Sequence, residues 1–408
     1  MAGVKSEFSD IKKIITNILT LRYDPSQIPS LPKLNWNDFT SKNYDELESS
    51  VEKILIEYIK NKEGLQETKT ISSALSGGMD STLILSYLKQ VFPEKHIKTF
   101  SVKFADSVDE TQHASEIAKF LDVEHEIIYL ENFFEELPKA ISITKLPFWD
   151  IHWYYLVKNA QKHSKFLLSG DGGDELFGGY TFRYEKFLSL TTSDATPTEK
   201  TQNYLKCHER DHVHDQEFLF HENIKFSWDE IYSQIIPYFD NSLEPLEQVF
   251  FADYSGKLLY NFSIVNNRIN ESFNVNSVSP LLASQLISIA PHIPLNMKYN
   301  VISNQGKMIL KNLLIKNKLD SLIMPSKQGF SVNTKSLWKN IGKRICSEYL
   351  SDSQIAKNGF INSKWIENHI RNDDLEVRYI NKFFGLLAFE IWYRLFVTKE
   401  INSNLKLI

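Results

Sequence analysis

The stretch Ile71-Ser72-Ser73-Ala74-Leu75-Ser76-Gly77-Gly78-Met79-Asp80-Ser81 runs from a short apolar segment through two glycines into a helical pattern that continues to Val91. A brief β-like run, a glycine turn and a helix make one βα unit. The same alternation continues outward. Ile97 to Phe104 reads as a second strand, Asp109 to Leu121 as a helix, Glu126 to Leu130 as a third strand and Phe133 to Ile143 as a helix. Trp153 to His163 is helical, and Lys165 to Ser169 makes a fourth strand that ends in glycines. Strands alternating with helices predict an α/β fold with a mostly parallel sheet. Ahead of this core, Ser6 to Leu21 and Tyr44 to Lys60 read as helices, separated by Pro25, Pro29 and Pro32. Beyond Tyr180 the pattern turns largely helical, and the polar stretch Thr191 to Thr201 reads as a flexible linker. The expected organisation is a helical extension over 1–45, an α/β core over 46–190 and a mostly helical region over 191–408.

Composition narrows the function. In 408 residues, 46 Lys and Arg face 51 Asp and Glu, a net charge of −5. The basic footprint of a nucleic-acid binder is missing, which argues against a tRNA or DNA substrate. Cys207 and Cys346 neither frame a disulfide scaffold nor give a zinc spacing, as expected for a reducing compartment. The start, Met1 to Glu7, lacks the basic and apolar regions of a secretory signal. Phe383 to Val397 falls short of the roughly 18 apolar residues of a membrane span and holds Glu390 and Arg394, an i,i+4 pair; a buried helix is the expectation. A cytoplasmic protein without membrane contact follows.

Two loops carry the chemistry. In Ser76-Gly77-Gly78-Met79-Asp80-Ser81, the glycines admit an anion to the backbone, while hydroxyls, turn amides and the helix N-terminus favour phosphate. The Walker lysine and the third glycine of the dinucleotide fingerprint are both absent. Asp80 beside a phosphate cradle implies an intervening cation, and Mg²⁺ on a polyphosphate satisfies that need. The second loop, Ser169-Gly170-Asp171-Gly172-Gly173-Asp174-Glu175-Leu176-Phe177-Gly178-Gly179-Tyr180, gathers three carboxylates among five glycines. Alone it also reads as a calcium turn or a solvated surface.

Together the loops resemble the synthetase domain of the asparagine synthetase family, within the PP-loop ATP pyrophosphatases. Further matches are Phe100-Ser101-Val102, Asp109-Glu110 with Ala114, Pro280-Leu281-Leu282, Gly306-Lys307 with Leu310-Lys311, Lys327-Gln328-Gly329-Phe330 and the tail Phe384 to Phe396. The resemblance implies a Rossmann-like PP-loop fold. It also implies a ligase that splits ATP into AMP and diphosphate while a substrate carboxylate becomes an acyl-adenylate awaiting an amine. On it, Asp80 and Asp174 hold Mg²⁺, and Ser76, Gly77, Gly78 and Ser81 cradle the diphosphate. Val102, Ser169 and Gly170 line adenine, ribose and the α-phosphate. Lys327 approaches the reacting centre, where an ammonium stabilises developing negative charge. Lys307 is a further substrate-side residue, with the solvated face of a helix as its plain alternative.

Departures from the family pattern lie on the acceptor side. Asp171 stands where asparagine synthetases usually carry Glu and β-lactam synthetases Tyr, a position near the attacking amine; it reads as a base or an ammonium-binding group, or as a residue that tightens the loop. In Arg268 to Ala283 the family's Glu and Arg are replaced by Asn276 and Val278. Losing that pair counts against free aspartate, whose charged ends need charged or bidentate partners. The family's glutaminase domain begins with a cysteine after Met removal, whereas residue 2 here is alanine and few residues precede Ser76. Ammonia is therefore expected free or from a separate glutaminase, or an organic amine takes its place.

The acceptor stays open between an amino acid, a sugar or peptide carboxylate and an amino-carboxylate that closes to a lactam. A PP-loop tRNA-modifying enzyme and a non-catalytic ATP-binding partner of a glutaminase are the competing classes, and a homo-oligomer is compatible with all of them. Two weaker features remain. His208, His212 and His214 beside Cys207 read as a zinc spacing or a solvated face. Trp149, Trp153, Tyr154 and Tyr155 read as core or pocket wall, since no basic residues interleave as a nucleic-acid platform requires.

Overall fold

The computed structural model describes residues 2–104, 110–208, 212–322, 333–372 and 374–408. Five strands form one sheet: β1 (Thr70–Ala74), β2 (His96–Phe104), β3 (Glu124–Leu130), β4 (Phe166–Leu168) and β5 (Asn276–Val278). Their order is β3-β2-β1-β4-β5, and every neighbouring pair is parallel. Parallel neighbours need crossovers, which the intervening helices supply. Helices α1 (Ala2–Leu21) and α2 (Leu47–Lys60) precede the sheet. Helices α3 (Met79–Val91), α4 (Glu110–Phe120), α5 (Leu137–Thr144) and α6 (His152–Ala160) connect its first four strands. The α/β expectation, a Rossmann-like parallel sheet with a largely helical C-terminal half, matches this architecture.

The differences have local reasons. The helix expected from Phe133 begins at Leu137, with Pro138 in its first turn, where proline's missing N–H costs nothing. Half of the expected linker is helix Pro197–Lys206, whose Thr196 and Glu199 form a reciprocal capping box. The sheet does not close within residues 46–190, because β5 arrives from far along the chain. At three residues that strand is too short to show a period of its own.

One buried apolar cluster runs from Ile11 to Leu407. The C-terminal helix Val377–Phe396 is buried along most of its length. Its Glu390 is fully buried and ion-paired to Arg394 at 2.6 Å. No helix among the described residues is long and apolar enough to cross a membrane.

Candidate active site

β1 pairs with β4 through Ser72 opposite Leu167 and Ser73 opposite Leu168. The chain leaves β1 toward β2 and β3 and later returns to β1's other side, so the two glycine loops stand next to each other at the C-terminal ends of adjacent strands. That is the crevice in which open α/β sheets bind ligands.

The first loop is held by its own hydroxyls. Gly77 turns the backbone at φ +70°. Gly78 N donates to Ser76 Oγ at 3.3 Å, and Ser81 Oγ donates to Gly78 O at 3.2 Å. Helix α3 starts at once, with Gly78 as an N-cap that offers no side chain to its amides.

Glycines in the second loop are required by proximity. A Cβ on Gly173 would sit 2.4 Å from Asp80 Cγ, and one on Gly179 would sit 1.8 Å from Asp174 Oδ1. A side chain at 173 would force the loops apart, and one at 179 would displace Asp174 and Lys307.

Asp80 and Asp174 converge on one cation. Lys307 Nζ lies 2.5 Å from Asp80 Oδ2 and 2.6 Å from Asp174 Oδ1. Burial works against the lysine's charge, but Asp174 and Asp80 outweigh it and hold its pKa above the ordinary value. Lys307 adopts the left-handed conformation at φ +56°, a strained state for a side-chain-bearing residue. Its N–H donates to Phe177 O at 3.2 Å, which ties it to the short helix Gly173–Phe177. Next to it, Glu175 is buried, and burial followed by the Asp174 charge pushes its pKa up to about 7.

Asp80, Asp174 and Lys307 border a cavity of about 460 Å³, a volume typical of small-molecule sites. Of the residues singled out in the sequence, Ser76, Gly78, Asp80, Ser81, Val102, Ser169, Gly170, Asp171, Asp174 and Lys307 line it. Gly77 contributes the turn instead. Asn276 is not brought to the cavity: it is exposed at the start of β5, opposite Phe166, at the other end of the sheet from the loops. The same segment reaches the site through Ser279, whose Oγ is 3.0 Å from Ser169 Oγ. Lys327 lies outside the described residues, as does the Lys327-to-Phe330 motif.

Asp171 accepts from Asn266 Nδ2 at 3.1 Å. Burial raises its pKa, against the pull of Ser169, Asn266 and His152. His152 also lines the cavity, and sequence reasoning passed over it. Its signal was the Asp-x-His pair inside Trp149-Asp150-Ile151-His152-Trp153. Trp153 is pocket wall, as expected, and donates from Nε1 to Asn270 Oδ1 at 3.0 Å.

In the histidine-rich stretch, His208 and His212 are partly buried while His214 is exposed, the one of the three that fits a solvated face. His208 Nε2 lies 2.5 Å from Arg183, His212 stacks on Trp228 and His214 Nε2 lies 3.2 Å from Arg378. Among the described residues, no group of three His, Cys, Asp or Glu side chains is placed to hold a metal ion.

The asparagine synthase family profile matches residues 62–394. The chain belongs to the asparagine synthase family. Within that family's neighbourhood, it is similar to asparagine synthetase [glutamine-hydrolyzing] 1 of Bacillus subtilis, 40% identical over 134 residues that cover 31% of this chain and 21% of that one. It is also similar to a putative asparagine synthetase [glutamine-hydrolyzing] of Mycobacterium tuberculosis, 30% identical over 182 residues, 43% of this chain and 26% of that one. The chain thus spans about a fifth to a quarter of the length of these relatives. Among solved structures, NMN synthetase from Francisella tularensis aligns at 17% identity with a TM-score of 0.27, over 51% of this chain and 94% of that one.

Proposed function

We propose that this chain is an ATP-dependent ligase that forms AMP and diphosphate, adenylating a carboxylate for attack by ammonia or an amine. The observation that carries the reading is the convergence of Asp80 and Asp174, one from each glycine loop, on a single cation beside the cavity. Two carboxylates that need a cation between them are a donor set suited to Mg²⁺. Asp80 and Asp174 would hold that ion, which when bound offsets charge on the departing diphosphate.

The protein's own groups do the rest. Ser76, Gly77, Gly78 and Ser81 receive the diphosphate oxygens through amides and hydroxyls, helped by the N-terminus of α3. Val102, Ser169 and Gly170 border the adenosine and α-phosphate. Lys307 turns its ammonium from the carboxylates to the phosphates when a polyphosphate enters, and Lys327 serves the reacting centre. Asp171 faces the incoming nitrogen. The nitrogen arrives as ammonia or an organic amine, the location is the cytoplasm, and neither nucleic acid nor membrane takes part.

Incubation with ATP, MgCl₂, ammonium and a panel of amino-acid, sugar-acid and peptide carboxylates tests the reading. AMP and diphosphate are expected in equal amounts and are lost in Asp80→Ala and Asp174→Asn. ADP and phosphate as products would overturn it.

A further inference from the structure

His152 and Asp171 share the cavity wall, and Asp150 stands behind the histidine with Oδ1 2.8 Å from its Nδ1. A hydrogen bond at one ring nitrogen sets the tautomer and ring orientation. With Nδ1–H committed to Asp150, proton exchange falls to Nε2. Burial lowers the His152 pKa, but the charges of Asp150 and Asp171 outweigh it and move it upward. The imidazole and the Asp171 carboxyl therefore titrate as an interacting pair.

Other charges around them are already engaged. Arg22 lies over the Trp149 ring at 5.8 Å and acts on Asp150. Arg268, on the neighbouring helix Ser263–Ser272, donates to Thr144 O at 2.5 Å and Gln27 Oε1 at 3.1 Å. On the strands beneath α6, Lys98 pairs with Glu124 and Glu126 at 2.8 and 2.9 Å near the strand starts, and Lys103 faces the Tyr129 ring. The wall that Asp171, His152 and Trp153 present to an incoming nucleophile is thus carboxylate, imidazole and indole, a surface for a cation.

We propose that His152, oriented by Asp150 and acting beside Asp171, is the acid–base residue for the attacking nitrogen, and that the nucleophile enters as ammonium or a primary alkylammonium. The proposal rests on the ligase reading above. The cation gives one proton to His152 Nε2, which passes it to solvent. The nitrogen lone pair then forms the C–N bond at the activated carbonyl carbon, the bond from that carbon to the phosphate oxygen breaks, and AMP leaves with the electron pair. The second N–H proton follows the first. Asp150 is a positioning residue.

The test uses the full chain as wild type, His152→Gln, Asp171→Asn and Asp150→Asn. Histidine side-chain NMR, with His152 assigned from its missing resonance in His152→Gln, follows titration and the response to methylammonium chloride against sodium chloride at equal ionic strength. The His152 midpoint should fall by about one pH unit in Asp171→Asn, and methylammonium alone should shift its resonances. If Asp171→Asn does not fold, Asp150→Asn should give the same fall. In turnover, His152→Gln should lower the ratio of amide formation to carboxylate-dependent ATP–diphosphate exchange by about 100-fold with ammonium. Hydroxylamine, already neutral near pH 7, should recover at least about tenfold of that loss. A His152 that ignores both carboxylate substitutions and methylammonium, or an unchanged ratio, would overturn the proposal. Wild type without exchange on every carboxylate would instead sink the ligase reading itself, while the NMR response still decides whether this wall binds a cationic amine.

Discussion

Lys307 Nζ sits 2.5 Å from Asp80 Oδ2 across 227 positions of sequence, and the same ammonium reaches Asp174. The lysine supplies the positive charge that lets two largely buried carboxylates face one another. Replacing it with Met should destabilise the protein by about 3 kcal/mol in EDTA, the scale of a broken buried ion pair, and MgCl₂ should recover part of the loss. Denaturant unfolding with and without the metal measures both; equal stability of Lys307→Met and wild type in EDTA would show that the bridge contributes nothing.

Gly173→Ala pushes a methyl group to within 2.4 Å of Asp80 Cγ. The two loops must separate, and displacements of about 1 Å at a reacting centre cost about 100-fold in rate. AMP formation should fall by that order while the far-ultraviolet circular dichroism stays as in wild type. Near-normal turnover would mean that the loops need not touch.

Glu136 links α5 to α6 and to the chain's end. It accepts from Lys158 Nζ at 2.6 Å, from Tyr154 Oη at 2.5 Å and from Lys406. Burial alone would raise its pKa, but Lys158, Lys406 and Tyr154 bring it down to about 2. A carboxylate depressed below its unfolded value of about 4.3 stabilises the fold above that value. The contribution is lost as pH falls from about 5 toward 2. Glu136→Gln should therefore show a shallower decline in stability across that window, read from urea midpoints at successive pH values. Parallel declines would assign acid sensitivity to other groups.

Glu390 is fully buried and accepts from Ser353 Oγ at 2.8 Å, Gln354 N at 2.8 Å and Ile355 N at 3.1 Å besides Arg394. Glu390→Ala takes the carboxylate from Arg394, which keeps Asp352 O at 3.1 Å, and from the Gln354 and Ile355 amides that open the helix Gln354–Lys357, at an expected cost of about 3 kcal/mol. Glu390→Gln keeps the shape and should cost less. The order of the two variants in thermal unfolding is the check.

Glu390 also shows how far a reading of the chain alone reaches. Its pairing with Arg394 follows from helical spacing. The three donors from 353–355 do not, since they lie 35–37 positions away. The same division holds at the site. Both glycine loops, their acids and Asp171 were legible, because a phosphate turn and an acidic loop are written in consecutive residues. His152 was passed over among aromatic residues that read as core, and Asn276 drew attention although Ser279, three residues on, is the one that reaches Ser169.

Local chemistry was enough to establish the α/β class, the strand–loop–helix units and the family resemblance, since turn geometry, periodicity and capping depend on neighbours in the chain. Folding settled the rest: that β4 lies against β1, that a three-residue β5 completes the sheet, and that Lys307 stands between Asp80 and Asp174. Strand order depends on burying both faces of a sheet under helices. A buried charge, in turn, finds its partner wherever packing brings one, so neither result is written in any short stretch of residues.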